Sequence, residues 1–198
     1  MDKITDIRPL KNSLRRESRE RRLAMDAALK ASYDKKICNK LLNLWAVRES
    51  SAVLTYVSTD IEVDTRAFIE SAFALNKTVA VPRCGEAPGE MSFYIIKSFN
   101  DLESGAFGVL EPKCDCPEFT ETESGVCIVP AFSFDEEGYR LGYGKGYYDR
   151  FLSRYGGKKI GICYDCDVCE KLYHGRFDRA VDMIITPKRI LNTGSKGE

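Results

Sequence analysis

The sequence predicts an α/β fold: a single-domain three-layer sandwich with a largely parallel central sheet flanked by helices. Three observations predict it. Short apolar runs bounded by turn residues alternate with stretches whose apolar positions recur every three or four residues. Apolar strands of that kind belong to sheets covered on both faces. A chain of 198 residues, 43% hydrophobic and 30% charged, is long enough for one well-buried core and short for two. One domain over residues 1–198 is expected, with loose ends at 1–9 and 193–198. Lys plus Arg and Asp plus Glu number 30 each, so net charge calls for neither nucleic acid nor membrane. Residues 1–22 carry no apolar stretch of the export type, and no run approaches the roughly 18 apolar residues of a membrane span. The expected location is cytoplasmic.

The elements follow in order. Leu10 to Met25 reads as a basic helix, with Lys11, Arg15, Ser18 and Arg22 on one face. Asp26 suits the N-cap of a second helix, whose stripe Leu29, Tyr33, Ile37, Leu41, Leu44 and Trp45 reads as core packing. Ser51 to Val57 is a buried strand, and Ser58 to Glu62 the polar loop at its C-terminal end. Asp64 can cap a helix carrying Phe68, Ala72, Phe73 and Leu75. Thr78 to Val81 is a second strand, stopped by Pro82, and Met91 to Ile96 a third. Asn100 to Glu123 lacks periodicity and reads as an irregular connection with one tight turn. Gly125 to Val129, Lys159 to Cys163 and Met183 to Thr186 complete the strands. Ligands in such sheets gather where strands end and loops begin, which singles out Val57 to Glu62 and Val129 to Gly146.

The second of these loops holds the densest chemistry in the chain. In Arg140-Leu141-Gly142-Tyr143-Gly144-Lys145-Gly146-Tyr147-Tyr148-Asp149-Arg150, glycines alternate with an aromatic and a cation, and a helical run from Tyr147 to Tyr155 follows. Backbone N–H groups in such a loop can turn toward an anion, and a helix N-terminus adds to them. Lys145 supplies a full charge to a phosphate, and Asp149 a hard oxygen for Mg²⁺. The spacing is neither the Walker A pattern nor the dinucleotide fingerprint. As glycines alone the segment could be a plain strand-to-helix turn. Arg140, Lys145 and Arg150 with Tyr143, Tyr147 and Tyr148 suit a ligand with phosphates at one end and a ring at the other.

Among residues 1–22 there are eight Lys or Arg against four acids. Such a helix face is commonly solvated, yet Lys11 and Arg15 lie one turn apart and could close over a polyphosphate. Glu62 could bind an N–H-rich heterocycle or be a plain loop residue. Asp149 could instead pair with Arg150 or Arg154. Asp178 and Asp182 could orient metal water or cap a turn, and His174 receives no role. Eight cysteines without an export signal read as reduced thiols. Cys163-x-x-Cys166-x-x-Cys169 has an iron–sulfur spacing but lacks its fourth ligand, and a strand there makes Cys163 a small buried hydrophobe. No nucleophile–base pattern stands out, so catalysis by a protein nucleophile is not expected.

Several separate segments together resemble the 5-formyltetrahydrofolate cyclo-ligase family, also called methenyltetrahydrofolate synthetases. Val129-Pro130-Ala131-Phe132-Ser133-Phe134-Asp135 and Gly138 to Arg150 are similar to its signature, and Lys11-Asn12-Ser13-Leu14-Arg15 to its K-x-x-L-R. Glu62-Val63-Asp64-Thr65, Val81-Pro82-Arg83 and Phe107-Gly108-Val109-Leu110-Glu111-Pro112 resemble further family segments, in the same order. The resemblance implies ATP-dependent cyclisation of 5-formyltetrahydrofolate to 5,10-methenyltetrahydrofolate, with ADP and phosphate released. It implies that Lys11, Arg15 and Arg140, Leu141, Gly142, Tyr143, Gly144, Lys145, Gly146, Tyr147 and Tyr148 hold ATP. Lys145 and Arg140 are then the catalytic cations, and Asp149 binds Mg²⁺. Val57 and Glu62 touch the folate, with Tyr143, Gly144, Lys145, Gly146 and Tyr147 between the two substrates. No nucleic acid and no obligate protein partner is implied. Two other readings carry different expectations. An RNA- or polyphosphate-binding module would bind in a steeply salt-dependent way without turnover. A phosphorylated-sugar or acyl-CoA binder on a similar sheet would owe nothing to the Lys11–Arg15 and Glu62–Thr65 segments.

Overall fold

Alternation of apolar side chains along short strands gives the sheet two buried faces, and the helices divide between them. A computed structural model describes residues 7–105 and 108–193. Seven strands form the central sheet: β1 (Ala52–Leu54), β2 (Thr78–Cys84), β3 (Met91–Ile96), β6 (Val126–Pro130), β9 (Lys158–Ile162), β11 (Met183–Ile185) and β12 (Ile190–Asn192). Their order is β12-β11-β9-β6-β1-β2-β3. The five inner strands run parallel, and β12 and β3 close the two edges antiparallel. Val53, Val126, Ile128, Ile160 and Ile162 face one core with Ile37 and Leu41 of α2 (Ala27–Asn43) and Phe68 and Ile69 of α4 (Arg66–Ala74). Leu54, Cys127 and Val129 face the other, with Phe151 and Leu152 of α5 (Tyr147–Leu152). These are the three layers expected.

Local chemistry sets the element ends. Asp26 accepts from Leu29 N at 2.9 Å and caps α2. Asp64 Oδ1 accepts from Arg66 N at 3.0 Å at the start of α4. α1 (Arg8–Leu23) begins with Pro in its first turn, so Arg8 and Pro9 are helical and not loose. At the other end Thr193 is tied to Val181 O and Asp182 O, which removes it from the loose tail as well. Residues 1–6 and 194–198, the remainder of the expected loose ends, lie outside the described residues, as does Phe107.

Four further expectations need correction. Trp45 does not pack in the core: it opens the short α3 (Trp45–Glu49) and is 75% exposed, and Leu29 and Leu75 are exposed too. Pro82 does not stop β2, which runs on to Cys84 paired with β3 alone beyond Ala80; the Phe93 carbonyl opposite takes its hydrogen bond from Phe119 N. The 100–123 connection contains a hairpin, β4 (Leu102–Ser104) with β5 (Leu110–Pro112). The helix after the glycines ends at Leu152, not Tyr155.

A small second sheet sits beside the C-terminal ends of the parallel strands: β10 (Val168–Cys169), β7 (Ser133–Asp135) and β8 (Arg140–Leu141). α1 docks against it through polar groups. Its buried residues are Ser18 and Arg22, and both meet Asp167. No helix among the described residues is long and apolar enough to cross a membrane.

Candidate functional site

A cleft of about 1060 Å³ opens where β1, β2 and β6 end. Its walls are the loop after β1, the ends of β2 and β6 at Cys84 and Pro130, α1, and the glycine segment that joins β8 to α5. The sheet thus supplies the floor, and parts of the chain more than a hundred residues apart supply the sides.

The glycine segment bends as its composition requires. Gly144 and Gly146 take φ of 89° and 73°, left-handed values that L side chains resist, and they flank Lys145. A Cβ on Gly144 would sit 2.9 Å from an Arg15 guanidinium nitrogen. That guanidinium also donates from Nε to Gly142 O at 2.7 Å and from NH1 to Asn12 Oδ1 at 2.7 Å. Arg15 therefore pins the loop as well as charging it. Lys11 Nζ reaches Asp178 Oδ2 at 3.2 Å across the mouth of the cleft. The Lys11, Arg15, Ser18 and Arg22 face of α1 is turned inward, while Arg8, Arg16, Arg19 and Arg21 are exposed.

Arg140 lines the cleft, but its guanidinium is tied down. It donates to Asp149 Oδ1 at 2.7 Å and to Arg179 O at 2.8 Å, and lies over the Tyr148 ring. Asp149 pairs with Arg140, not with Arg150 or Arg154. Its Oδ1 also accepts from Arg179 N at 3.1 Å, so the contacts described fall on one oxygen. Oδ2 takes none of them. Among the described residues no three His, Cys, Asp or Glu gather into a metal cluster. A single carboxylate fits Mg²⁺ that arrives on phosphate oxygens and keeps waters, and not a cation caged by protein alone.

On the opposite wall Glu62 is buried, its carboxylate fixed from both sides. Oε2 accepts from Thr59 N and Oγ1, each at 2.9 Å, and Oε1 accepts from Tyr143 Oη at 3.2 Å. That last bond joins two of the motifs read from sequence, 81 residues apart. The Tyr143 ring is exposed and packs edge-on against Phe132, while its hydroxyl turns inward. Burial, with the Glu62 charge behind it, pushes this phenol up to about 12, so it stays a neutral donor. Val57 lies on the floor beside Tyr56, whose own hydroxyl is committed to Val63 O at 3.0 Å.

All the site residues expected from sequence line this one cleft: Val57, Glu62, Lys11, Arg15 and residues 140–149. Sequence reasoning missed Thr59, which orients Glu62, and the wall of Cys84, Met91 and Glu111. Glu111 is a buried carboxylate in the unexpected hairpin, accepting from Cys84 N at 3.3 Å. Only the E-P dipeptide pointed to it. Asp178 belongs to the cleft, whereas Asp182 holds Lys159 N at 2.7 Å within the fold. His174 stacks on Tyr139 at 3.5 Å between ring centroids. Cys163 is fully buried, and burial raises its thiol strongly, as suits a small core residue.

Fold and cleft together define a doubly wound α/β protein. Its cleft lies at the C-terminal strand ends, where ligands of such folds bind, and is built from a glycine-lysine loop, a basic helix and a fixed carboxylate. A model described as the 5-formyltetrahydrofolate cyclo-ligase family matches residues 7–187. The chain belongs to that family. It is 28% identical over 177 residues to the 5-formyltetrahydrofolate cyclo-ligase of Escherichia coli strain K12, covering 87% of this chain and 97% of the relative. It is 29% identical over 172 residues to a probable 5-formyltetrahydrofolate cyclo-ligase of Schizosaccharomyces pombe, covering 78% and 84%. Among solved structures, the 5,10-methenyltetrahydrofolate synthetase of Aquifex aeolicus superimposes with a TM-score of 0.84 at 32% identity, covering 96% of this chain and 95% of that one.

Proposed function

We propose that the protein catalyses the ATP-dependent closure of 5-formyltetrahydrofolate to 5,10-methenyltetrahydrofolate. The observation that carries this reading is the single cleft in which Glu62, bonded to Tyr143, faces a loop that also presents Lys145 and is clamped by Arg15. One ligand needs donors and acceptors for a heterocycle; the other needs cations for phosphates. The family relatives named above support the same substrate.

A formamide oxygen is a poor leaving group. It attacks the γ-phosphorus of ATP, the bond to ADP breaks, and the oxygen becomes a phosphate ester. N10 then attacks the formyl carbon and loses its proton, and the C–O bond breaks to release phosphate. Phosphoryl transfer asks for alignment and charge neutralisation more than a protein nucleophile. Lys145 meets the transferred phosphoryl group, held out by its two left-handed glycines. Lys11 and Arg15 hold the remaining phosphates from α1. Arg140 acts chiefly by orienting Asp149. Asp149 and the phosphates would hold Mg²⁺, which neutralises charge on the polyphosphate when bound. Glu62 accepts from the N–H groups of the pterin, and Tyr143 and Tyr147 separate the two substrates. The reading takes the protein as cytoplasmic, in keeping with eight unpaired cysteines, and as needing neither nucleic acid nor a protein partner.

The test is direct. The protein is mixed with 5-formyltetrahydrofolate and Mg–ATP under reducing conditions, and the absorbance of the methenyl product is followed. Product that depends on ATP is expected; its absence would remove the proposal.

A further inference from the structure

Tyr143 ties together two walls of the cleft. Its backbone belongs to the glycine segment, and its hydroxyl donates to Glu62 Oε1 in the loop after β1, at 3.2 Å. One residue earlier the same segment is held from α1, where Arg15 Nε donates to Gly142 O at 2.7 Å. Adjacent residues thus bind the segment to different parts of the molecule. The Tyr143 tie is the longer and the more open of the two. Its side chain is exposed, its ring meets Phe132 edge-on at 4.8 Å between centroids, and Gly144 beside it takes a φ of 89°. Modest changes of backbone angle at flanking glycines are enough to swing such a side chain.

Glu62 is already well supplied with donors. A carboxylate offers about four lone-pair sites. Thr59 N and Oγ1 take two of them on Oε2, and Tyr143 takes one on Oε1. The Thr59 bonds lie within a turn that Glu62 N closes on Thr59 O at 3.1 Å, so they stay with the fold. One site remains, and a heterocycle that presents two N–H groups to this carboxylate needs two. The bond able to yield is the one from Tyr143.

We propose that the Tyr143–Glu62 bond is a latch between the two halves of the cleft: the folate displaces it in taking Glu62, and its release frees the glycine segment to close with Arg15 on the nucleotide. This rests on the two-substrate reading above and adds a coupling to it. Each ligand favours the unlatched arrangement, so each tightens the other by the same factor. Without folate the segment stays drawn toward Glu62, which holds back the transfer of a phosphoryl group to water until the formyl oxygen is in place.

A binding cycle tests this. Wild type and Tyr143→Phe are each titrated with 5-formyltetrahydrofolate in a calorimeter, with and without a non-hydrolysable ATP analogue and Mg²⁺. The substitution keeps the ring against Phe132 and removes the hydroxyl. In wild type the analogue is expected to tighten folate binding roughly threefold to tenfold, the range that one hydrogen bond spans. In Tyr143→Phe folate alone should bind more tightly by a similar factor, and the effect of the analogue should shrink toward none. ATP hydrolysis in the absence of folate should rise in the variant, which a merely structural role would not produce. An analogue effect of equal size in both proteins would overturn the latch. So would weaker binding of folate by the variant, which would make the hydroxyl a support for Glu62 or a contact to the ligand. Wild-type turnover is followed separately. Turnover without Tyr143-dependent coupling removes only the latch, and that coupling without turnover removes only the proposed reaction.

Discussion

Asp167→Asn measures how α1 is held to the rest of the molecule. The wild-type carboxylate is wholly enclosed and takes three bonds from one helix: Ser18 Oγ at 2.9 Å, Arg21 NH2 at 3.1 Å and Arg22 Nε at 2.9 Å. Arg22 also donates to Ala131 O and Phe132 O from a nearly buried position. Burial alone would lower the Arg22 pKa, but the charge and bond of Asp167 more than offset it, so its net shift is upward. The amide keeps the shape and removes the charge, leaving a buried guanidinium uncompensated. Breaking a buried pair in this way costs about 3–5 kcal/mol. For a chain of this size, at 2–4 °C per kcal/mol, that is a fall in Tm of roughly 6–20 °C. Urea unfolding monitored by circular dichroism gives the loss directly. Because α1 bears Lys11 and Arg15, the KM for ATP should rise in the folded variant more than that for folate. A loss below about 1 kcal/mol would refute the argument that this pair anchors the helix. An unchanged KM for ATP would refute the placement of the phosphates against it.

Three more outcomes are expected. Lys145→Ala should lower turnover by about 10²–10³, the usual cost of removing one preorganised charge-stabilising group, with the circular dichroism spectrum intact. Gly144→Ala places a side chain at φ 89° and presses it on Arg15, so KM for ATP should rise and stability should fall by roughly 1–2 kcal/mol, read by activity and urea titration. Stability should decline in alkali because burial pushes the fully enclosed Cys127 thiol up to about 12. The unfolded thiol loses its proton from about pH 9 while the folded one keeps it, so this contribution is complete below about pH 9 and fades toward pH 12. Unfolding midpoints at pH 8.5 and 11 check the slope, and Cys127→Val should flatten it.

The cleft was more legible than the frame around it. The 140–149 segment stands out by its glycines and cations alone, whereas Lys11, Arg15 and Glu62 were singled out by the family resemblance, since a charged helix face or a lone loop carboxylate carries no local signal of a site. β3 was read to its ends because Met91 to Ile96 is bounded by turn chemistry on both sides. β7, β8 and β10 were not, since strands of two or three residues carry no period. Trp45 misled for a related reason: its spacing continued the α2 stripe, but the helix breaks at Leu44, whose extended backbone restarts the chain as α3 and turns the indole outward. Arg22 and Ser18 were read correctly as one face, yet nothing in a run of arginines says that a single distant aspartate will bury it. Partners at 145 and 149 residues' remove are a property of the fold, not of any window of sequence.

The inward face of α1 has a consequence for how the molecule comes to be made. The helix occupies residues 8–23, yet its bonds run to Phe132, Gly142, Asp167 and Asp178. During synthesis it emerges well before any of those partners. Ser18 and Arg22 are its buried residues, and their bonds to Ala131 O, Phe132 O and the Asp167 carboxylate all await segments made more than a hundred residues later. Its strongly basic character keeps it soluble in the interval. The wall of the cleft that α1 builds is therefore completed only once residues 132–178 have been made, and a nascent chain stalled before Asp167 would leave Arg22 without its carboxylate.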